Sequence, residues 1–72
     1  MKIETNKPAI ILTPRELQIT VLIRDRGVSN KIIADMLHIT ISTVKLHITH
    51  IFKKYGVRNR TQLAIFTKDT LH

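Results

Sequence analysis

Residues suited to start and to end helices recur along this chain of 72 residues and divide it into short segments. In the stretch "TPRE", Thr13 is of the N-cap type, Pro14 suits the first helical position, and Glu16 follows the cap by three residues. Together they form a capping-box signature, which begins a helix at Pro14. Further residues placed as N-caps are Ser29, Thr40 and Asn59. Residues placed to end helices in the left-handed conformation are Gly27, His38 and Gly56.

These signals predict an all-α fold, a four-helix bundle, with helices at about residues 14–26, 30–37, 41–55 and 60–71. Residues 1–11 show no helical period, and Pro8 biases the residue before it towards extended conformations. We therefore expect an extended N-terminal arm at 1–11 and one helical domain at 12–72. The apolar residues expected to cover one edge of the core from this side are Ile10, Ile11 and Leu12.

The charge of the chain limits the partners that it suits. Twelve Lys and Arg residues stand against five Asp and Glu residues, which gives a net charge of +7. Such an excess indicates a polyanionic partner, with nucleic acid first and an anionic membrane surface second. There is no cysteine for a disulfide or a thiolate zinc site, and no apolar run approaches the roughly 20 residues that span a bilayer. A cytoplasmic protein is the expectation.

The segment "STVKLHITHIFKK", residues 42–54, carries most of the information about function. A strand period of two would leave apolar and polar side chains mixed on both faces, whereas a helical period of 3.6 gathers the apolar ones in an arc of about 100°. Leu46 lies opposite this arc, between Lys45 and Thr49, and is either an isolated surface leucine or a contact with a partner. The stripe predicted to face the core is Ile41, Val44, Ile48, Ile51, Phe52 and Tyr55.

Two short helices joined by residues 38–40, the second with a polar outer face, form a helix-turn-helix pattern. The second helix of such a pair enters the major groove of duplex DNA, where short polar side chains and one apolar side chain meet base edges. Lysines beside them reach phosphates or guanine. The pattern therefore predicts DNA binding by the third helix. Basic residues near its end that are expected to follow a DNA strand are Lys53, Lys54, Arg58 and Arg60.

Several short motifs resemble, in order and approximate spacing, the LuxR-type (GerE-, NarL- and FixJ-like) helix-turn-helix domain. They are "LTPRE", "SNK-IA", "L-IT", "TVK-H", "I--K-GV" and "NR", and the match runs from about Leu12 to Leu71. The resemblance implies a four-helix domain that binds double-stranded DNA in a bacterial transcription regulator, with the third helix in the major groove and the fourth at a dimer contact. The chain would then be a stand-alone regulator or the C-terminal effector domain of a larger response regulator.

The resemblance also implies roles for individual residues. Lys45, Leu46 and Thr49 are similar to the base-reading positions of the family, although Thr49 stands where NarL has a lysine. The start of the second helix, at Asn30, also suits a phosphate oxygen on physical grounds, because helix N-termini attract anions. Residues similar to those that contact the DNA backbone are Asn30, Lys31, Thr43 and His47.

The fourth helix has two distinct faces. The inward face is predicted to consist of Leu63, Ala64, Thr67 and Leu71. For Phe66, a place in the core against Leu63 is an alternative to an outward position. The residues opposite the inward face, predicted to form a two-fold contact in a homodimer, are Gln62, Ile65, Phe66 and Asp69.

Two apolar pairs remain outside these stripes. These pairs are Leu17 with Val21 and Ile32 with Met36. They either bury each other or the N-terminal arm, or they form a surface that binds RNA polymerase or a co-regulator. The second interpretation supports an alternative function, in which the chain is a protein-interaction or anti-activator module that pairs with a related regulator.

Two histidines in the third helix raise the question of a metal site. His47 and His50 have the i, i+3 spacing of a ligand pair, but no cysteine or carboxylate stands on the same face to complete the coordination. Neither a metal nor another cofactor is expected. An enzyme is not expected either, because the sequence contains no glycine-rich phosphate loop and its polar residues are scattered over helix surfaces.

Overall fold

The computed structural model describes residues 10–68, and within them the chain forms four helices and no strand. The helices are α1 (Pro14–Arg26), α2 (Asn30–Leu37), α3 (Ile41–Tyr55) and α4 (Arg60–Thr67). The all-α prediction and the bounds predicted for the first three helices are confirmed. The fourth was predicted to reach residue 71, whereas α4 ends at Thr67 and Lys68 forms a turn. Residues 69–71 of that prediction, and residues 1–9 of the predicted arm, lie outside the described residues.

Each helix begins after the residue predicted as its N-cap. Thr13 Oγ1 accepts a hydrogen bond from the Glu16 N–H at 3.1 Å, and Glu16 Oε1 accepts one from the Thr13 N–H at 3.0 Å, which completes the capping box. Ser29, Thr40 and Asn59 each accept a bond from the N–H three residues later. These bonds satisfy backbone donors that a helix start would otherwise leave unpaired.

Positive backbone φ angles end the first three helices. Gly27 has φ 59° and Gly56 has φ 71°, both in the left-handed region where glycine carries no steric penalty. His38, with φ 58°, is the one other residue among 10–68 in that region, as predicted. Its N–H donates to the Ala34 carbonyl, so the chain leaves α2 and enters α3 within residues 38–40.

The core lies where α1 packs against α3 and α4, and where α2 packs against α3. All four helices contribute fully buried apolar side chains: Ile19, Ile33, Val44, Ile51 and Leu63. Because α3 is covered by α1 and α2 on its apolar stripe, its opposite face is left to solvent. Within residues 10–68, no helix is both long enough and apolar enough to cross a membrane.

Three apolar residues lie farther from the core than predicted, and Ile10, which is 39% exposed, is one of them. Ile41 is 41% exposed because it is the first residue of α3, and the buried stripe begins one turn later at Val44. Ile11 is 75% exposed, so the prediction that its side chain covers the core is wrong. Its backbone carbonyl makes the contact instead, by accepting a hydrogen bond from Lys54 Nζ at 3.0 Å.

Candidate nucleic-acid interface

The outer face of α3 carries polar side chains around one exposed leucine. Val44 and Ile48 are buried on the inner face, whereas Leu46 between them is 57% exposed. Lys45 and Thr49 flank it and are exposed as well. The three residues predicted to read bases therefore lie together on the solvent side of the helix.

Thr49 has a defined hydrogen-bonding role on this face. Its Oγ1 donates to the Lys45 carbonyl at 3.0 Å, the bond that a threonine in a helix commonly makes with the preceding turn. The hydroxyl proton is thereby directed into the helix. What Thr49 offers outwards is a methyl group and the lone pairs of its oxygen, which accept but do not donate.

The first turn of α3 holds another hydroxyl in place. Thr43 Oγ1 lies 2.9 Å from Thr40 Oγ1, and Thr40 Oγ1 also accepts from the Thr43 N–H at 3.1 Å. His47, one turn further along, is half-buried, and Lys53 near the end of the helix is exposed. No acidic residue occurs in α3, so this helix presents only neutral and cationic side chains.

The start of α2 has two residues predicted to contact the DNA backbone. Lys31 Nζ is 3.3 Å from Asp35 Oδ2 one turn later, with both side chains about 70% exposed. Such a surface pair contributes only about 0.3–0.5 kcal/mol, so a phosphate competes for the lysine at little cost. Asn30 is held differently, because its Oδ1 accepts a hydrogen bond from Arg60 Nη1 at 2.7 Å.

The Lys54 side chain is directed towards the start of α1 and away from the outer face of α3. Its Nζ lies 2.6 Å from Glu16 Oε1, and only 5% of the Glu16 side chain is exposed. The hydrogen bond from Lys54 lowers the pKa of Glu16, against the opposing effect of burial. Moving this ammonium to a phosphate would leave a buried carboxylate without its cationic partner and bonded only to the Thr13 N–H, which is costly. We therefore withdraw Lys54 from the predicted DNA backbone contacts.

Arg60 likewise points inwards, although its position in the sequence placed it with the basic residues along a DNA strand. Its guanidinium donates to Asn30 Oδ1 and to the Val28 carbonyl. Burial lowers the pKa of Arg60 from its ordinary value. The sequence did not indicate these contacts, because the partners of Arg60 lie 30 and 32 residues away in the chain, beyond any local pattern.

The outer face of α4 exposes two apolar side chains where a dimer contact was predicted. Ile65 is 68% exposed and Phe66 is 41% exposed. The Phe66 ring meets the Tyr55 ring edge to face, with centroids 5.4 Å apart and an interplanar angle of 77°. Gln62 Oε1 accepts a hydrogen bond from the Arg58 N–H at 2.7 Å. Asp69, the fourth residue of the predicted contact, lies outside the described residues.

A second apolar surface lies between α1 and α2. It is a groove of about 390 Å³ whose lining residues are Leu17, Gln18, Val21, Leu22, Met36 and Leu37. Leu17, Met36 and the nearby Ile32 remain 43%, 44% and 47% exposed, so the two apolar pairs singled out in the sequence do not bury each other completely. Among residues 10–68 no three His, Asp or Glu side chains are grouped closely enough to hold a metal ion.

Comparison with known proteins identifies similar domains. Residues 10–67 match the family model described as "Bacterial regulatory proteins, luxR family". The chain is 49% identical over 63 residues to the transcriptional regulatory protein LiaR of Bacillus subtilis, a match that covers 88% of this chain and 29% of LiaR. It is 48% identical over 56 residues to the response regulator protein VraR of Staphylococcus aureus and of Staphylococcus saprophyticus, covering 78% of this chain and 26% of each VraR. The chain thus spans less than a third of these relatives.

Proposed function

Because the chain belongs to the luxR family of bacterial regulatory proteins and is a DNA-binding domain of transcription regulation, we propose that α3 enters the major groove of duplex DNA and reads its sequence there. The family consists of regulators and is not a class of enzymes. The observation that carries the proposal is the exposed leucine of α3. Leu46 is 57% exposed on the face opposite the buried stripe, between two polar side chains that are also exposed.

Three residues on this face read the bases. Lys45 donates to guanine O6 or N7, and Leu46 packs against a thymine methyl group. Thr49, whose hydroxyl proton is bonded to the Lys45 carbonyl, accepts from an exocyclic amino group of adenine or cytosine. This division gives each residue a different chemical preference.

Contacts to phosphates fix the position of α3 in the groove. They come from the start of α2, where the helix dipole favours an anion, and from the margins of α3. Lys31 and Lys53 contribute charge, and the others contribute hydrogen-bond donors. The proposed set is Asn30, Lys31, Thr43, His47 and Lys53.

A homodimer on DNA is the proposed assembly. The apolar outer face of α4, with Ile65 and Phe66 exposed, supports a two-fold contact in which each copy binds one half-site. Half-sites one helical turn apart, about 34 Å, would then be read as an inverted repeat. The groove between α1 and α2 offers an apolar surface for RNA polymerase or a co-regulator. We place the protein in the bacterial cytoplasm, as the effector domain of a longer regulator of the LiaR and VraR type.

The readout by Leu46 is tested with two variants of the same face. Leu46→Ala removes the contact with a thymine methyl, so it should change the base preferred at one position of duplexes selected from a randomised library. Lys53→Ala should instead weaken binding to selected and random duplexes alike and reduce the slope of log affinity against log salt by about one unit.

Fluorescence anisotropy at several salt concentrations measures both effects. If Leu46→Ala lowered affinity for selected and random DNA by the same factor and left the selected sequence unchanged, Leu46 would not be a base-reading residue. Failure of the unmodified chain to prefer any duplex over random competitor would contradict sequence-specific binding itself.

A further inference from the structure

One guanidinium connects α4 to the start of α2. Arg60, the first residue of α4, donates from Nη1 to Asn30 Oδ1 at 2.7 Å and from Nη2 to the Val28 carbonyl. Asn30 is the first residue of α2, and Val28 lies in the loop that leads into it. The two nitrogens of a planar guanidinium thus hold the loop and the first helical side chain at the same time.

The chemistry of this pair determines what Asn30 presents to solvent. A guanidinium has only hydrogen-bond donors, so the atom of the Asn30 amide that faces it must be the oxygen. The orientation of the amide, which is ambiguous for many asparagines, is therefore settled by its partner. The amide nitrogen, with two N–H donors, is left for any other contact. A donor group at a helix N-terminus suits an anionic oxygen.

The arrangement also restricts rotation of the amide. Arg60 is partly buried, and its second bond, to a backbone carbonyl, fixes the plane of the guanidinium independently of Asn30. Without Arg60, Asn30 could turn its oxygen outwards, which would repel a phosphate. With Arg60 in place, that rotation breaks a charge-assisted hydrogen bond.

We propose that Arg60 is a positioning residue for DNA binding: it holds the Asn30 amide with its nitrogen towards a phosphate oxygen and so makes the backbone contact depend on α4. This inference rests on the proposed function, in which Asn30 contacts the DNA backbone. It gives α4 a second task beside the dimer contact, because the side chain that starts α4 also orients a group at the protein–DNA interface.

A double-mutant cycle on the 72-residue chain tests the proposal. The variants are Arg60→Gln, Asn30→Ala and the two combined, and the probes are a duplex selected by the unmodified chain and a random duplex of equal length. Each single variant should lower affinity about tenfold, the value of one hydrogen bond to a charged group, and by the same factor on both duplexes. The double variant should bind about as well as Asn30→Ala alone, since the two residues act through one contact.

Lys68→Gln is the matched control for the loss of one positive charge. Lys68 is exposed at the end of α4 and belongs to no proposed contact. Lys68→Gln should lower the affinity for DNA only slightly, and by the same factor whether residue 30 is asparagine or alanine. Arg60→Gln should lower the affinity about tenfold when residue 30 is asparagine, but only as much as Lys68→Gln does when residue 30 is alanine. Losses that multiply in the double variant would show a merely structural role for Arg60 and overturn the proposal.

Nuclear magnetic resonance of the Asn30 side-chain amide gives a readout that a structural role would not move. The Nδ2–H signals should shift when the selected duplex is added to the unmodified chain, and should shift less in Arg60→Lys, which keeps the charge but loses the two-point geometry. Arg60→Lys also serves in the cycle if Arg60→Gln unfolds. Binding by the unmodified chain with no effect of Asn30→Ala would contradict this inference alone, while absence of DNA binding would contradict the proposed function.

Discussion

Two adjacent lysines near the end of α3 have different surroundings and therefore different tasks. Lys53 is exposed and free to follow a DNA strand, whereas Lys54 Nζ is bound to Glu16 Oε1 and to the Ile11 carbonyl. A helix turns by about 100° per residue, so one step along α3 separates the side predicted to face DNA from the side that covers α1. At this scale the same residue type is left exposed at one position, where it is predicted to bind DNA, and stabilises the fold at the next.

Removing the ammonium of Lys54 should destabilise the fold. Lys54→Met leaves the Glu16 carboxylate buried without a charge partner, and we expect a loss of about 2 kcal/mol in the free energy of unfolding. This is below the value for a fully buried pair because 36% of the Lys54 side chain is exposed. Urea denaturation measures the loss, and Lys53→Met is the matched control, expected to stay within about 0.5 kcal/mol of the unmodified chain.

The pH dependence of stability provides a second test of the Lys54–Glu16 pair. Since the folded-state pKa of Glu16 is lowered, its contribution to stability is present above the unfolded value of about 4.3 and is lost as pH falls through the lower folded pKa. The unmodified chain should therefore lose stability on acidification in this range. In Lys54→Met the carboxylate is buried without the lysine and keeps only the bond from the Thr13 N–H, so that loss of stability should shrink or reverse. An identical acid dependence in both proteins would show that the pair does not act as described.

At the scale of elements, the turn between α2 and α3 determines the direction in which α3 leaves α2. The turn depends on His38, which adopts φ 58° without being glycine. A side chain in the left-handed region costs about 1 kcal/mol, and the hydrogen bonds from the 38 and 39 N–H groups to the Ala34 carbonyl compensate for it. The second helix of the pair is thus placed by a strained residue at a defined position.

Relieving this strain should stabilise the domain. His38→Gly removes the side-chain penalty, partly offset by the greater freedom of glycine in the unfolded chain, for a net gain of about 0.5 kcal/mol. His50→Gly is the matched control. His50 is exposed to solvent and lies in the middle of α3 with right-handed helical backbone, so glycine there should lower the stability of the fold by about 0.5 kcal/mol. Thermal unfolding followed by circular dichroism should give shifts of opposite sign. Shifts of the same sign would exclude strain at residue 38 as the cause.

For the whole molecule, the apolar outer face of α4 is the surface that assembly would cover. Ile65→Asp places a charge at its most exposed apolar position and should abolish cooperative binding to two inverted half-sites, while affinity for a single half-site stays within about threefold. Analytical ultracentrifugation with each duplex measures the stoichiometry. Leu17→Asp, a similar change in the groove between α1 and α2, is the control and should leave two copies on the inverted repeat. Cooperative binding by Ile65→Asp would show that the dimer contact is not formed by this face of α4.

Much of the fold and part of the candidate site could be predicted from local patterns. The caps at Thr13, Ser29, Thr40 and Asn59 set the start of each helix correctly, and the period of α3 placed Leu46 on the outer face. The pattern predicted that Ile41 is buried, whereas it is exposed, because periodicity carries no information on where the neighbouring helices end. Which of the exposed residues touch DNA stays a prediction, supported by their position on α2 and α3.

The sequence by itself determined the start of each helix, the bounds of the first three and the outward position of Leu46 on α3. Capping bonds span three or four residues and a helix repeats every 3.6, so these features are local. Only the tertiary structure decided the partners of Lys54 and Arg60, which are 38 residues from Glu16 and 30 from Asn30. Both pairs exist because packing brings the end of α3 against the start of α1, and the start of α4 against the start of α2. Such pairs depend on how whole helices are arranged, so a basic residue near α3 can be assigned to DNA or to the fold only when that arrangement is known.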